Sequence, residues 1–222
     1  MKIGIDPEDM PAATDAEQIK VVGTANSRLY VSIGNGNRKI GLIPSWSLPN
    51  VTTCNPRLRK FCANKCYSNR IRIMFPSTWE QWKHNLWMVR NHPVLTELLI
   101  RKFLYMALPQ VMRIHVSGDF YSAEYLDMWR RIARDHPKTV FYGYSKMDGL
   151  DHDTLPGNMR ILRSRWPGMP APKQLHAKRS CWVQDGTDKR VPGTAFKCPG
   201  DCPKCGFRCA FGTGDVVIPL HR

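Results

Sequence analysis

Apolar positions along this chain alternate between two rhythms. Val111-Met-Arg-Ile-His-Val116 is a short apolar run, and Leu126, Trp129, Ile132 and Ala133 then recur at helical spacing behind Ser122. Thr139-Val-Phe-Tyr-Gly-Tyr144 is a second short run. That order predicts a strand, a capped helix and a strand, a βαβ unit whose strands are parallel and whose crossover is right-handed. Upstream, Trp79, Trp82, Leu86 and Val89 form an apolar stripe. Ser77 and Glu80 stand in front of it in the pattern of a capping box. Val94 to Leu108 predicts another helix, with Pro93 at its first position and Pro109 beyond its end. Leu29–Ile33 and Ile40–Ile43, joined by Gly34-Asn-Gly-Asn37, predict an N-terminal hairpin. Asn158–Leu162 and Val216–Leu220 supply two further strands.

These elements predict an α/β fold, a partial (β/α) barrel of parallel strands, although an open sheet would leave a similar pattern. The expected organisation is an N-terminal arm over 1–28, the α/β unit with its own cysteine group over 29–170, and a Cys-rich extension over 171–222 that ends in a strand. No repeat or low-complexity tract is evident.

Composition changes this picture in two ways. The 222 residues are 42% apolar, enough for a real core, yet the formal net charge is +15. Such an excess of cations points to a polyanionic partner, most often nucleic acid. Its distribution sharpens the point: from Gln18 to Trp79 there is no Asp or Glu. Lys20, Arg28, Arg38, Lys39, Arg57, Arg59, Lys60, Lys65, Arg70 and Arg72 all fall in that stretch. That is more positive charge than a thiolate-bound metal cluster needs for balance. The six from Arg57 to Arg72 are the candidate phosphate contacts. No eighteen-residue apolar run exists, and the N-terminus lacks a basic-then-apolar leader pattern, so the expectation is a cytoplasmic protein without a membrane partner.

In a reducing cytosol, eight cysteines serve metal or redox chemistry more often than disulfides. They fall into two groups. Cys54, Cys62 and Cys66 lie within thirteen residues, and Cys181, Cys198, Cys202, Cys205 and Cys209 lie near the C-terminus. Four thiolates close a tetrahedral zinc site, which Cys198, Cys202, Cys205 and Cys209 could do alone. Three thiolates on a four-iron cluster leave one iron open to substrate or cofactor, a reactive arrangement. Zinc and iron–sulfur both stay open for the C-terminal group, where one of the five cysteines is surplus.

Chemistry in such folds gathers at the carboxyl ends of strands. Those ends carry Ser117-Gly118-Asp119, Ser145-Lys146 and Arg163-Ser164-Arg165. Three clustered cysteines with an aromatic beside the last (Cys66-Tyr67), ahead of a βαβ pattern, resemble the radical S-adenosylmethionine (SAM) superfamily. That resemblance implies a [4Fe-4S] cluster on Cys54, Cys62 and Cys66 and SAM at its open iron. It also implies Ser117, Gly118 and Asp119 in place of that superfamily's Gly-Gly-Glu motif at the amino group, with Ser145 and Lys146 near ribose or carboxylate. The spacing departs from the usual Cys-x3-Cys-x2-Cys: here it is Cys-x7-Cys-x3-Cys. Cys198-x3-Cys202-x2-Cys205 matches the usual spacing, but so late in the chain that it reads as an accessory site.

A closer resemblance covers most of residues 36–165. Lys39-Ile-Gly-Leu-Ile-Pro-Ser-Trp-Ser-Leu-Pro49, Cys62-x3-Cys66-Tyr67 and His115-Val-Ser-Gly-Asp-Phe-Tyr-Ser122 resemble the bacteriophage gene product eighty-eight family, which implies a phage origin. Two functions from different classes follow. One is a radical-SAM-like enzyme acting on DNA or RNA. The other is a non-catalytic, zinc- or iron-sulfur-stabilised binder of nucleic acid or a host protein. A hydrolase built on Asp119, His115 and His221 ranks lowest, because no two carboxylates flank the histidines at ligand spacing.

Overall fold

The computed structural model describes residues 1–4, 29–149, 151, 154–170 and 179–220. Most of the N-terminal arm, and His221, lie outside the described residues. Strands β1 (Lys2–Gly4) and β2 (Tyr30–Ser32) pair antiparallel, with Ile3 opposite Val31. The N-terminal hairpin is therefore present, but its second strand comes from the start of the chain. Ile40–Ile43 is not a strand. Asn37 Oδ1 accepts from the amides of Lys39 and Ile40, and Gly41 takes a left-handed φ of +76°. That local turn outcompetes extension. The chain still doubles back here, through single antiparallel bridges between Asn37 and Gly41 and between Gly34 and Ser45.

Next in order come β3 (Ser45–Trp46), α1 (Asn50–Thr53), α2 (Pro56–Arg59), a 3-10 turn over Ala63–Lys65, and α3 (Tyr67–Met74). Helices α4 (Pro76–Asn91) and α5 (Pro93–Ala107) follow, each with proline in its first turn. Because Pro76 starts α4 early, Ser77 is already helical and no side chain caps that end. The expected capping box does not form, and Glu80 pairs with Lys83 instead. The βαβ unit is β4 (Val111–Ile114), α6 (Ala123–Asp135) and β5 (Val140–Ser145). Ser122 caps α6 by accepting from the Tyr125 amide, and Leu126, Trp129, Ile132 and Ala133 are all buried. Strands β6 (Met159–Arg165), β7 (Ser180–Gln184), β8 (Phe196–Lys197) and β9 (Val216–Pro219), with α7 (Arg208–Phe211), complete the described chain.

Seven strands form one sheet in the order β3-β4-β5-β6-β7-β9-β8, and every pairing is parallel. The strands pair nearly in chain order, as in a barrel, but β3 and β8 do not pair with each other, so the described sheet is open. Its two faces bury different things, because successive side chains point to opposite sides. Trp46, Met112, Ile114, Phe141, Met159 and Ile161 pack on one side with buried residues of α4, α5 and α6. Val111, Tyr142, Leu162, Cys181 and Val216 pack on the other with Ile40, Ile43, Cys209 and Ala210. Cysteine-bearing segments therefore cover the face opposite the main helices. Strands β7, β8 and β9 lie in the same sheet as the βαβ unit.

Across the helical layer, Glu97 of α5 accepts from Arg131 of α6 and from Arg101, which also pairs with Asp135. Burial alone would raise the Glu97 carboxyl, but the bonds from Arg131 and Arg101 outweigh it and hold the group below the usual range. A depressed carboxyl contributes stability above its unfolded pKa, about 4.3, and loses it as pH falls through the folded value. Glu97→Gln is expected to cost about 1 kcal/mol near neutral pH, the exposed Arg131 limb being solvent-screened. Denaturant unfolding should show the gap from wild type shrinking as pH drops below that range.

Candidate metal centre at the strand ends

Each cysteine of the first group sits at the end of a short helical turn. Cys54 ends α1, Cys62 precedes the 3-10 turn, and Cys66 is the N-cap of α3. The seven-residue interval is filled by α2, which Asn55 starts by accepting from the amides of Arg57 and Leu58. The three-residue interval is the 3-10 turn itself. Helical turns thus take up the unusual spacing and return the chain to one place. Asn50 Nδ2 donates to Cys66 Sγ at 3.4 Å and to Asn69 Oδ1 at 3.1 Å.

This loop docks on the carboxyl end of β4. Leu48 N donates to Ser117 O at 2.9 Å, Ser117 N to Ser47 Oγ at 3.4 Å, and Asp119 N to Thr53 Oγ1 at 3.3 Å. Thr53 Oγ1 in turn donates to Pro49 O at 2.7 Å. Gly118 makes the approach sterically feasible. Its φ is +87°, and a Cβ there would lie 2.8 Å from both Leu48 Cβ and Thr53 Oγ1. A second tie runs to the β5 end, where Asn55 Nδ2 donates to Lys146 O at 3.1 Å.

Cys54, Cys62 and Cys66 line one cavity of about 170 Å³ with Ser117, Gly118, Lys146, Ser164 and Cys181. Cys198, Cys202, Cys205 and Cys209 line a second, of about 610 Å³, with Lys39 and Arg70. The two share a wall that includes Tyr67, Arg113, Val116 and Tyr144. No Asp or Glu lines either cavity among the described residues. Tyr144 donates to Cys209 Sγ at 3.0 Å, and Tyr67 donates to Val116 O. Among the described residues no three His, Cys, Asp or Glu are gathered as a metal ion would require.

Burial first, then the Asp119 carboxylate, pushes the Cys54 thiol up to about 12. Burial first, against the pull of Arg113, pushes Cys202 up to about 11. Cys181, fully buried on β7 opposite Ser164, lies between the two groups. It lines the first cavity, yet the thiols acting on it are Cys209 and Cys198.

Asp119 is placed differently from a ligand-binding carboxylate. One oxygen accepts from the Lys146 amide at 2.8 Å and the other from the Phe120 amide at 2.8 Å, and the residue does not line the cavity. Burial raises its carboxyl above the ordinary range even though the Lys146 bond pulls the other way. Ser145 is buried and accepts from the Met147 amide at 3.1 Å. Both residues join the β4 and β5 ends, while Lys146 reaches the cavity with Nζ 5.7 Å from the Trp166 ring centre. Arg57, Arg59, Lys60, Lys65, Arg70 and Arg72 are all exposed. Arg57 pairs loosely with Asp148 at 3.7 Å and Lys65 with Asp185 at 3.9 Å, Arg59 donates to Val51 O at 3.3 Å, and Lys60 Nζ lies 5.3 Å from the Phe61 ring centre. His115 and Trp166 were not singled out by sequence as cavity residues. His115 follows β4, and its non-glycine φ of +62° is evident only in the folded chain.

The family described as Gene product 88 matches residues 17–211. The Gene 88 protein of Mycobacterium phage L5 is 28% identical over 130 residues, 53% of this chain and 54% of that protein. The Gene 88 protein of Mycobacterium phage D29 is 28% identical over 131 residues, with the same shares covered. The chain thus spans about half the length of the curated relatives it matches. No solved structure matches it.

Gly118→Ala is expected to destabilise the protein by about 2–3 kcal/mol, through the left-handed backbone and the clash with Leu48. Denaturant unfolding checks this. An alanine at Gly157, which has nothing within 4 Å of its added Cβ, is the control.

Proposed function

We propose that this chain, which belongs to the phage Gene product 88 family, is an iron–sulfur enzyme that uses SAM to modify a nucleic acid. The observation that carries the reading is the convergence of Cys54, Cys62 and Cys66 on one cavity at the carboxyl ends of parallel strands. Three cysteines presented by one loop suit a four-iron cluster with one open iron, whereas a structural zinc site closes with four ligands. Cationic Lys65, Lys146 and Arg113 around the cavity, with no carboxylate lining it among the described residues, suit an anionic cluster.

In this reading Cys54, Cys62 and Cys66 hold the cluster and leave one iron for SAM. Such a group, reduced by an external donor, would supply the electron that breaks the C5′–S bond of SAM into methionine and an adenosyl radical able to take a hydrogen atom from substrate. Lys146, which lines the cavity, would bind the carboxylate of SAM. Ser145 and Asp119 hold the strand-end loops in register, a positioning role different from amino-group binding. Cys198, Cys202, Cys205 and Cys209 hold a second metal group, and Tyr144 orients Cys209. The exposed cations from Arg57 to Arg72 surround the cysteine loop and bind phosphates on either side of the target.

Those same cations would equally serve a metal-stabilised binder without catalysis. Anaerobic reconstitution with iron and sulfide separates the two. The enzyme reading expects a brown protein that forms 5′-deoxyadenosine from SAM with a reductant. Cys54→Ala, Cys62→Ala and Cys66→Ala should each abolish that product while nucleic-acid binding persists. A colourless, zinc-loaded protein without SAM cleavage contradicts it. Replacing Arg59, Lys60 and Arg72 with alanine should weaken binding and flatten the salt dependence, by roughly 0.9 in slope for each duplex phosphate no longer neutralised. Titration at several salt concentrations measures this, and an unchanged slope removes those residues from the interface.

A further inference from the structure

Four buried polar atoms without a hydrogen-bond partner belong to residues lining the cavity of the cysteine trio: Arg113 Nε, His115 Nδ1, Ser117 Oγ and Trp166 Nε1. Three come from alternate residues at the end of β4, where His115 carries a left-handed φ of +62°. Buried polar atoms are almost always paired, and several orphans around one space imply an absent partner. Backbone strain of this kind also collects at ligand sites.

All four can donate. Guanidinium and indole N–H groups only donate, and a serine hydroxyl can. The histidine follows from its neighbours. Tyr125 Oη accepts from Trp46 Nε1 at 2.8 Å and lies 2.9 Å from His115 Nε2. The imidazole is neutral, since burial, then Arg113, drives its pKa down to about 3. In the tautomer whose Nε2 accepts the phenolic proton, Nδ1 carries the hydrogen and is a donor.

We infer that these four groups form a donor wall for an acceptor-rich anion seated beside the cysteine trio, with Ser117 and Trp166 determining its specificity. Two sources share that chemistry: the carboxylate of a bound ligand, and the sulfur atoms of a bound cluster. The choice of ligand probe rests on the preceding functional reading; the wall itself does not.

The test compares wild type, Ser117→Ala and Trp166→Phe, each removing a donor with little change of shape. SAM and decarboxylated SAM are titrated by equilibrium dialysis into the anaerobically reconstituted full chain, with iron content and reduction potential read in parallel. Wild type should prefer SAM at least tenfold, and each variant should lose most of that preference at unchanged iron content. A preserved preference with a potential shifted by about 59 mV, a tenfold change in the oxidised-to-reduced ratio for one electron, assigns the wall to cluster sulfur and supports it. Equal or absent binding of the two compounds by wild type, with unshifted potentials in the variants, overturns it. Wild type that takes up no iron yet prefers SAM overturns the functional reading and leaves the wall standing.

Discussion

Everything distinctive about this protein depends on how closely residues 47–53 approach the carboxyl end of β4. Three backbone or hydroxyl contacts make that docking, and they form only because Gly118 has no side chain and a left-handed backbone. The strand end thereby acts as a platform, and the helical turns after Pro49 bring Cys54, Cys62 and Cys66 around above it. A cysteine loop tethered only by its own turns would bear the full ordering entropy of its residues. Here the sheet, already fixed by its hydrophobic layer, offsets most of that loss. The buried Asp119 extends the same logic sideways and locks the β4 and β5 ends together, while Asn55 ties the cysteine loop to the β5 end.

Charge is the second organising constraint. Two thiol-lined cavities share a wall in which Arg113 is among the groups, and no acid lines either space among the described residues. Burying cations beside thiols is costly unless anions complete the arrangement. A bound metal would do so by displacing thiol protons; without one, burial raises the Cys54 and Cys202 thiols and keeps those protons on. The cations on α2, the 3-10 turn and α3 are exposed, and of these Lys65 and Arg70 also line the two cavities.

Much of the fold was legible because it rests on local rules. Ser122 and the buried stripe Leu126, Trp129, Ile132 and Ala133 identified α6, and the runs on either side identified β4 and β5. The Ile40–Ile43 strand and the Ser77 cap failed where a neighbouring residue took precedence, Asn37 in one case and Pro76 in the other. Strand β7 escaped notice because Ser180-Cys-Trp-Val-Gln184 is short and lacks alternation, although Asp185-Gly186 marks a turn after it. That omission hid the placement of Cys181 against the first cavity, since only sheet pairing brings it opposite Ser164. The sequence pointed to the cysteines and strand-end residues that line the first cavity, but not to the contacts that hold them there. Sequence could not show that the Asp119 carboxylate accepts from the Lys146 amide, a neighbour 27 residues away.

The central claim is that the N-terminal thiolates hold iron in the cavity above β4. Anomalous diffraction at the iron edge, from crystals of anaerobically reconstituted protein, measures this directly. The account predicts an iron peak of several atoms bonded to Cys54, Cys62 and Cys66, with one metal corner free of protein ligands. Iron confined to the C-terminal cysteines, or a single ion closed by a fourth side chain at the trio, would contradict it.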